Sequence, residues 1–241
     1  MRLRDLIEDS SFWFGLALAL FGAVLAFFSY FIAFNIPLTA LGLASIILGL
    51  SIALTPSSPV PKLAVKAILE GAWLNLEALL EEFNVEGRAV YMPPRDDRVY
   101  VFIPQSSNPT AADAEEAAKA PMRVLTSVKG KLGLMVFPPC SEIVKLAAVT
   151  RGLSVEEAVS LALVQFLEGA DSVKAVREAN KIIVEIANPV VEIDLPRVKR
   201  SLGSSSVSLA GCALAQSLGR PVIFIRETAE GKRLKAEFEA A

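Results

Sequence analysis

The sequence predicts a membrane-anchored α+β protein: a two-helix transmembrane hairpin followed by a soluble domain with a largely antiparallel sheet and recurring helix–hairpin units. Three observations carry this. Residues 10–61 contain no Asp, Glu, Lys or Arg. That run holds two apolar stretches, Phe12–Ala33 and Leu38–Leu54, of 22 and 17 residues. The rest of the chain shows a helical pattern followed closely by a β-hairpin three times, at 62–103, 141–187 and 206–238.

Each apolar stretch meets the length needed to cross a bilayer, about 20 residues with about 17 as the lower bound. Between them, Phe34-Asn35-Ile36-Pro37 is a short break with a helix-stopping proline. A cleavable signal peptide fails on length and on the second apolar run. A buried core hairpin fails on 52 consecutive uncharged residues. Arg2 and Arg4 precede the first span and Lys62 and Lys66 follow the second, whereas the break carries no cation. The positive-inside rule therefore expects both termini and the soluble domain in the cytoplasm. The only Asn-x-Thr string, Asn108-Pro109-Thr110, is excluded as a glycosylation site by its proline. The expected organisation is an N-terminus at 1–11, a hairpin at 12–54, a linker at 55–61 and an α+β domain at 62–241. Two subdomains, 62–137 and 138–241, are a further option for that domain.

Small residues recur in the spans at helical spacing. Gly15, Ala19 and Ala23 form one ladder, Gly22 and Ala26 a second, and Ser45 and Gly49 a third. Such ladders let helix backbones approach closely in lipid, either within the hairpin or between copies of it. Neither span carries an Asp, Glu, Lys or Arg, which argues against a proton relay or ion path.

The 180 residues after Pro61 carry 22 Lys and Arg against 23 Asp and Glu, an ordinary globular balance. Lys62–Phe83 reads as an amphipathic helix with Leu69, Ala72, Leu76, Leu79, Leu80 and Phe83 on its buried stripe, and Trp73 resting on core or bilayer. Arg88–Met92 and Arg98–Ile103 form a hairpin around Pro93–Asp97, with Asp96 and Asp97 as turn formers rather than metal ligands. Gln105–Ala120 reads as a mobile connector with a turn or two of helix. Met122–Ser127 and Leu132–Phe137 pair around Lys129-Gly130-Lys131, and Pro138-Pro139 stops them. Cys140–Thr150 is helical, and Ser154 with Glu157 forms a capping box ahead of a helix over Val155–Leu167. Val173–Arg177 pairs with Lys181–Ala187. Asp194 with Pro196 starts a short helix. Ser206–Leu218 is a small-residue helix closed by Gly219, and Pro221–Arg226 pairs with Arg233–Phe238.

Composition limits the chemistry. The chain has 241 residues, 53% of them hydrophobic, a net charge of −2, two cysteines and no histidine. There is no His-based dyad or triad and no His-ligated metal. The near-neutral charge argues against a nucleic-acid binder. No P-loop or other cofactor motif is present. Three local features remain. Arg197, Lys199 and Arg200 run into Ser204, Ser205 and Ser206, a string that either cradles a phosphate or simply ends one helix and caps the next. Lys199 and Arg200 could equally meet anionic headgroups. Cys140, after two prolines, is either a packed structural thiol or a redox or nucleophilic one, although Glu142 is the wrong sign beside it. A Cys140–Cys212 bridge is left open.

The two N-terminal spans, the Thr55-Pro56-Ser57-Ser58-Pro59 exit, the string Val136–Cys140 and the string Gly211–Pro221 resemble uncharacterised archaeal membrane proteins. That resemblance implies no activity, cofactor or catalytic residue. Nine Asn and Gln in all, with no His, also fit a heat-adapted source. The function expected is a membrane-tethered, non-enzymatic assembly or scaffold protein. Its partners would be the lipid bilayer and either further copies of itself or other membrane subunits. An anionic-ligand sensor at 197–206 and a Cys140-dependent enzyme are the alternatives.

Overall fold

The chain folds as two compact units, 1–65 and 66–241. The computed structural model describes residues 10–55, 62–106, 108–190 and 195–241. The expectations for Arg2, Arg4, most of the linker and Asp194 fall outside those residues.

In the first unit, α1 (Ser10–Phe31) and α2 (Ile36–Leu54) lie side by side as a hairpin. Both are long and apolar enough to cross a membrane. Asn35 makes the turn. Its side-chain oxygen accepts the Leu38 amide at 3.2 Å, and Pro37 occupies the first turn, where no amide is needed. This cap starts α2 two residues earlier than the apolar run suggests.

The seam between the helices is built of small residues. Gly15, Ala19, Gly22, Ala26 and Ser29 follow steps of four and three along α1, facing Gly42, Ser45, Gly49 and Ala53 on α2. That is the 3.5-residue repeat of two helices wound about each other. The backbones touch: a Cβ added to Gly49 would stand 2.5 Å from the Ala19 amide nitrogen and 2.6 Å from the Gly15 carbonyl oxygen. Ala23 belongs to no seam, because it points outward, and Gly42 and Ala53 take part instead. Outside the seam stand the large side chains, with Phe14, Phe21, Phe27, Phe28, Leu41, Ile47 and Leu48 all exposed. The hydroxyls of Ser45 and Ser51 donate to carbonyls four residues back, at 2.9 and 2.8 Å.

The second unit is built on one eight-stranded sheet in the order β3-β4-β2-β1-β7-β8-β6-β5, with every neighbouring pair antiparallel. The strands are β1 (Val90–Tyr91), β2 (Val101–Pro104), β3 (Leu125–Val128), β4 (Lys131–Val136), β5 (Ser172–Glu178), β6 (Lys181–Ala187), β7 (Val222–Glu230) and β8 (Arg233–Ala240). All four expected hairpins form, each turned through residues at positive φ, such as Asp96 and Asp97 in the first and Lys129 and Gly130 in the second. The sheet runs unbroken across residue 137, because β1 of the first half pairs with β7 of the second.

The larger core lies under one face. It is covered by α3 (Lys62–Glu82), α5 (Ser141–Leu146), α6 (Val155–Ser160), α7 (Pro196–Leu202) and α8 (Ser205–Leu218). The capping box at Ser154 and Glu157 is present. The helix it starts changes to a π-helical stretch at Leu161–Phe166 rather than continuing as α to Leu167. Helices do not lie on one side only. α4 (Ala111–Ala117), in the segment expected to be a mobile connector, packs Ala114 and Ala117 on the other face against Val90, Phe102, Val128 and Ile223. A capping box at Thr110 starts it, and Lys131 holds Asp113 at 2.8 Å.

Two carboxylates are held in their charged form. The Lys131 ammonium and the Thr110 amide lower Asp113 to about 2, and Arg226 and Lys181 lower Glu237 to about 2. A depressed folded-state pKa contributes stability above the unfolded carboxylate's titration, and that stability is lost as pH falls through the folded value. Urea midpoints should therefore fall from about pH 5 down to about pH 2, and Glu237→Gln should lower the midpoint at neutral pH while flattening that slope. In the hairpin, Gly49→Leu should cost at least about 1–3 kcal/mol in an SDS titration from mixed micelles, whereas the outward Ala23→Leu should leave the transition unmoved.

Candidate functional site

The cationic string at 197–206 folds as α7, a glycine turn and the start of α8. Lys199 and Arg200 are exposed, whereas Ser204 and Ser206 are buried. Carboxylates from elsewhere in the chain hold the helix N-termini here. Glu77 of α3 accepts the amides of Arg197 and Val198 at 3.1 and 2.8 Å. Glu227 of β7 accepts the Ser204 amide at 2.7 Å. These carboxylates stand where an anionic ligand would be bound, and they meet the positive end of each helix.

Glu227 reaches that position because of a β-bulge. The register of β7 against β8 shifts between Phe224 and Arg226, leaving Ile225 as an extra residue. The shift puts Arg226 beside Glu237 on one face and turns Glu227 to the other, under α8. Gly203, at φ +83°, makes room: a Cβ there would stand 3.1 Å from the Glu227 carboxylate and 2.5 Å from Val207.

Cys140 precedes α5 and is buried, and its thiol donates to the Ser205 carbonyl oxygen at 3.5 Å. Burial pushes it up to about 12, so the thiol stays protonated and is a poor nucleophile. Burial also raises Cys212 well above the ordinary range, and both cysteines are free. Tyr91 shares this interior, its hydroxyl donating to the Leu202 carbonyl oxygen at 2.8 Å.

The structure places an open groove of about 850 Å³ elsewhere, where β2 begins and β4 ends. α3 forms one wall with Ala72, Asn75, Leu76 and Leu79, and Met122, Arg123 and Val124 form the other. The Met135 amide donates to the Val124 carbonyl at 2.9 Å, which fixes that second wall to β4. Pro138 and Pro139 end β4 and turn the chain into α5. The Ser141 hydroxyl there accepts the Val99 amide at 2.9 Å. Tyr100 and Phe137 pack ring on ring, with centroids 3.9 Å apart. The Arg98 guanidinium lies 5.7 Å from the centre of the Phe137 ring and pairs with Glu142 at 2.7 Å. The groove thus has an apolar body and, at its rim, two guanidiniums against one carboxylate. Its volume falls within the range of small-molecule sites, about 300–1,000 Å³.

Sequence reasoning missed this groove. α3 has two apolar stripes, not one. Trp73, Leu76 and Leu80 enter the core, whereas Ile68, Ala72 and Leu79 lie on an adjacent exposed stripe. Ala72 and Leu79, expected to be buried, are exposed, and Trp73 is a core residue. The excess of apolar positions on this helix was the available signal. Among the described residues no cluster of three or more His, Cys, Asp or Glu could hold a metal ion.

The fold and groove together define a class: an α+β domain with an eight-stranded antiparallel sheet, preceded by an apolar helical hairpin. The chain belongs to the family described as a domain of unknown function, DUF7982, whose model matches residues 14–237. The match takes in both the hairpin and nearly all of the sheet domain. No curated protein and no solved structure matches the chain.

Both native thiols should resist iodoacetamide at about pH 8 in the folded protein and react fully once it is unfolded in guanidinium. Modification of Cys140 in the folded state, followed by mass spectrometry, would overturn its assignment as a packed structural residue.

Proposed function

We propose that the protein is an integral membrane protein, a membrane-tethered, non-enzymatic assembly or scaffold protein whose hairpin anchors a binding domain. One observation carries the anchoring: the hairpin's side chains are distributed the opposite way from those of a water-soluble pair. Small residues fill the seam, and large aliphatic and aromatic groups cover the outside. In water that surface would be a large exposed apolar patch. In hydrocarbon it is solvated, and close backbone packing then holds the pair together.

The seam residues Gly15, Ala19, Gly22, Ala26, Ser45 and Gly49 are engaged within one chain. Recruitment of subunits or ligands therefore falls to the sheet domain, and the groove beside α3 is its best-formed concave surface. The flanking cations Arg2, Arg4, Lys62 and Lys66 favour a cytoplasmic location for the domain. Protonated Cys140 and the carboxylate-held amides at Ser204 and Val198 favour this reading over a cysteine enzyme or a phosphate sensor at 197–206.

Topology can be read with an added cysteine, because both native thiols are buried. Ile36→Cys, in the exposed turn of the hairpin, should react with a membrane-impermeant maleimide on intact cells. Lys232→Cys, in the β7–β8 turn, should react only after lysis. The reverse pattern would overturn the orientation, and recovery of the intact chain in the carbonate-soluble fraction would overturn the anchoring.

A further inference from the structure

We propose that the groove between α3 and residues 122–124 binds an anionic amphiphile, an apolar chain carrying a carboxylate or phosphate head. The inference rests on the membrane-anchored reading above. Leu76, Leu79, Val124 and Phe137 give the groove an apolar body suited to a hydrocarbon chain. Its rim is not neutral. Glu142 answers Arg98, and Arg123, also lining the groove, is exposed and has no acidic partner among the described residues. One uncompensated guanidinium beside an apolar trough is complementary to a ligand that is greasy along its length and negative at one end. A neutral apolar ligand would leave that charge unused, and a cationic one would be repelled.

Chain connectivity favours the same occupant. α3, which forms one wall, begins after only residues 55–61 have followed the second apolar helix. A short tether of this kind raises the effective concentration of membrane components at the site. The exposed stripe of α3 also runs on beyond the groove to Ile68, 73% exposed, so the apolar track extends toward the tethered end of the helix.

The test uses the full chain in phosphatidylcholine nanodiscs doped with a chain-diazirine palmitic acid or, separately, a chain-diazirine phosphatidylglycerol. After illumination, peptides are mapped by mass spectrometry, and labelling of the hairpin serves as the internal reference. We expect label on 72–79 and 122–124 as well as on 12–54. Arg123→Gln should lower the groove-to-hairpin ratio about tenfold, as loss of a charge-assisted contact should. Val124→Glu, which adds a carboxylate at an exposed position, should lower it at least as far. Labelling of the groove by the free acid alone assigns a carboxylate ligand, and labelling by the phospholipid alone assigns a membrane lipid. Either supports the site. Label confined to the hairpin would overturn the groove proposal and leave the anchoring intact. An unchanged ratio in both variants would overturn the role of charge, and with it an anionic ligand. Groove crosslinks to a co-purified polypeptide instead of lipid would assign a protein partner and overturn the proposal.

Discussion

The sheet domain depends on one close approach, that of Tyr91 to Gly211. β1 has only two residues, yet it is the sole link in the sheet order between β3-β4-β2 and β7-β8-β6-β5. So short a pairing contributes few hydrogen bonds. The junction is held from above instead. A Cβ on Gly211 would stand 2.5 Å from the Tyr91 ring, so the ring fills the space left by the missing side chain. The Tyr91 hydroxyl donates to the last carbonyl of α7, and the Ala89 amide donates to the Ser201 carbonyl. Eleven of the fourteen residues of α8 are buried over this junction. Small residues are required there because the helix is enclosed between the strands on one side and α5 and α6 on the other.

That helix also explains the fate of the cationic string. An N-terminus buried against a sheet presents amides that must find acceptors. Ser204 stands at the capping position, but its side chain makes no cap. Glu227 supplies the acceptor, and it can do so only because the bulge at Ile225 reverses the facing of the strand beyond it. A single inserted residue thus supplies an acceptor for the Ser204 amide at the start of α8 on one face of the sheet and completes the Arg226–Glu237–Lys181 cluster on the other.

What could be read from the sequence follows the range of each interaction. The hairpin was legible because 52 uncharged residues have few stable fates. The strand pairs were legible because turns such as Glu230-Gly231-Lys232 are local, as are the capping box at Ser154 and the cap at Gly219. The order of strands across the β1–β7 junction was not, since nothing near Val90 encodes its pairing with Ile223. The bulge was not either: Ile225-Arg226-Glu227 fits either facing, and partners distant in sequence, Ser204 for Glu227 and Glu237 for Arg226, decide between them. The placement of Ala23 failed for a related reason. A ladder of four-residue steps drifts around the helix, and the true seam alternates four and three.

The groove belongs to a further category, because folding does not require it. α3 needs only Trp73, Leu76 and Leu80 to bury its core face. For a helix that had merely to cover a sheet, Ile68 and Leu79 would sit more cheaply as polar residues, as they do on an ordinary two-faced helix. Val124 and Phe137 repeat the excess on the facing side, each nearly half exposed or more. Scattered exposed apolar groups are common on protein surfaces and need no explanation. Here Leu79, Val124 and Phe137 converge on one concavity, from elements that meet only in the folded chain, beside a guanidinium with no acid to answer it among the described residues. Exposed apolar surface arranged in that way is what a protein keeps for something other than its own core.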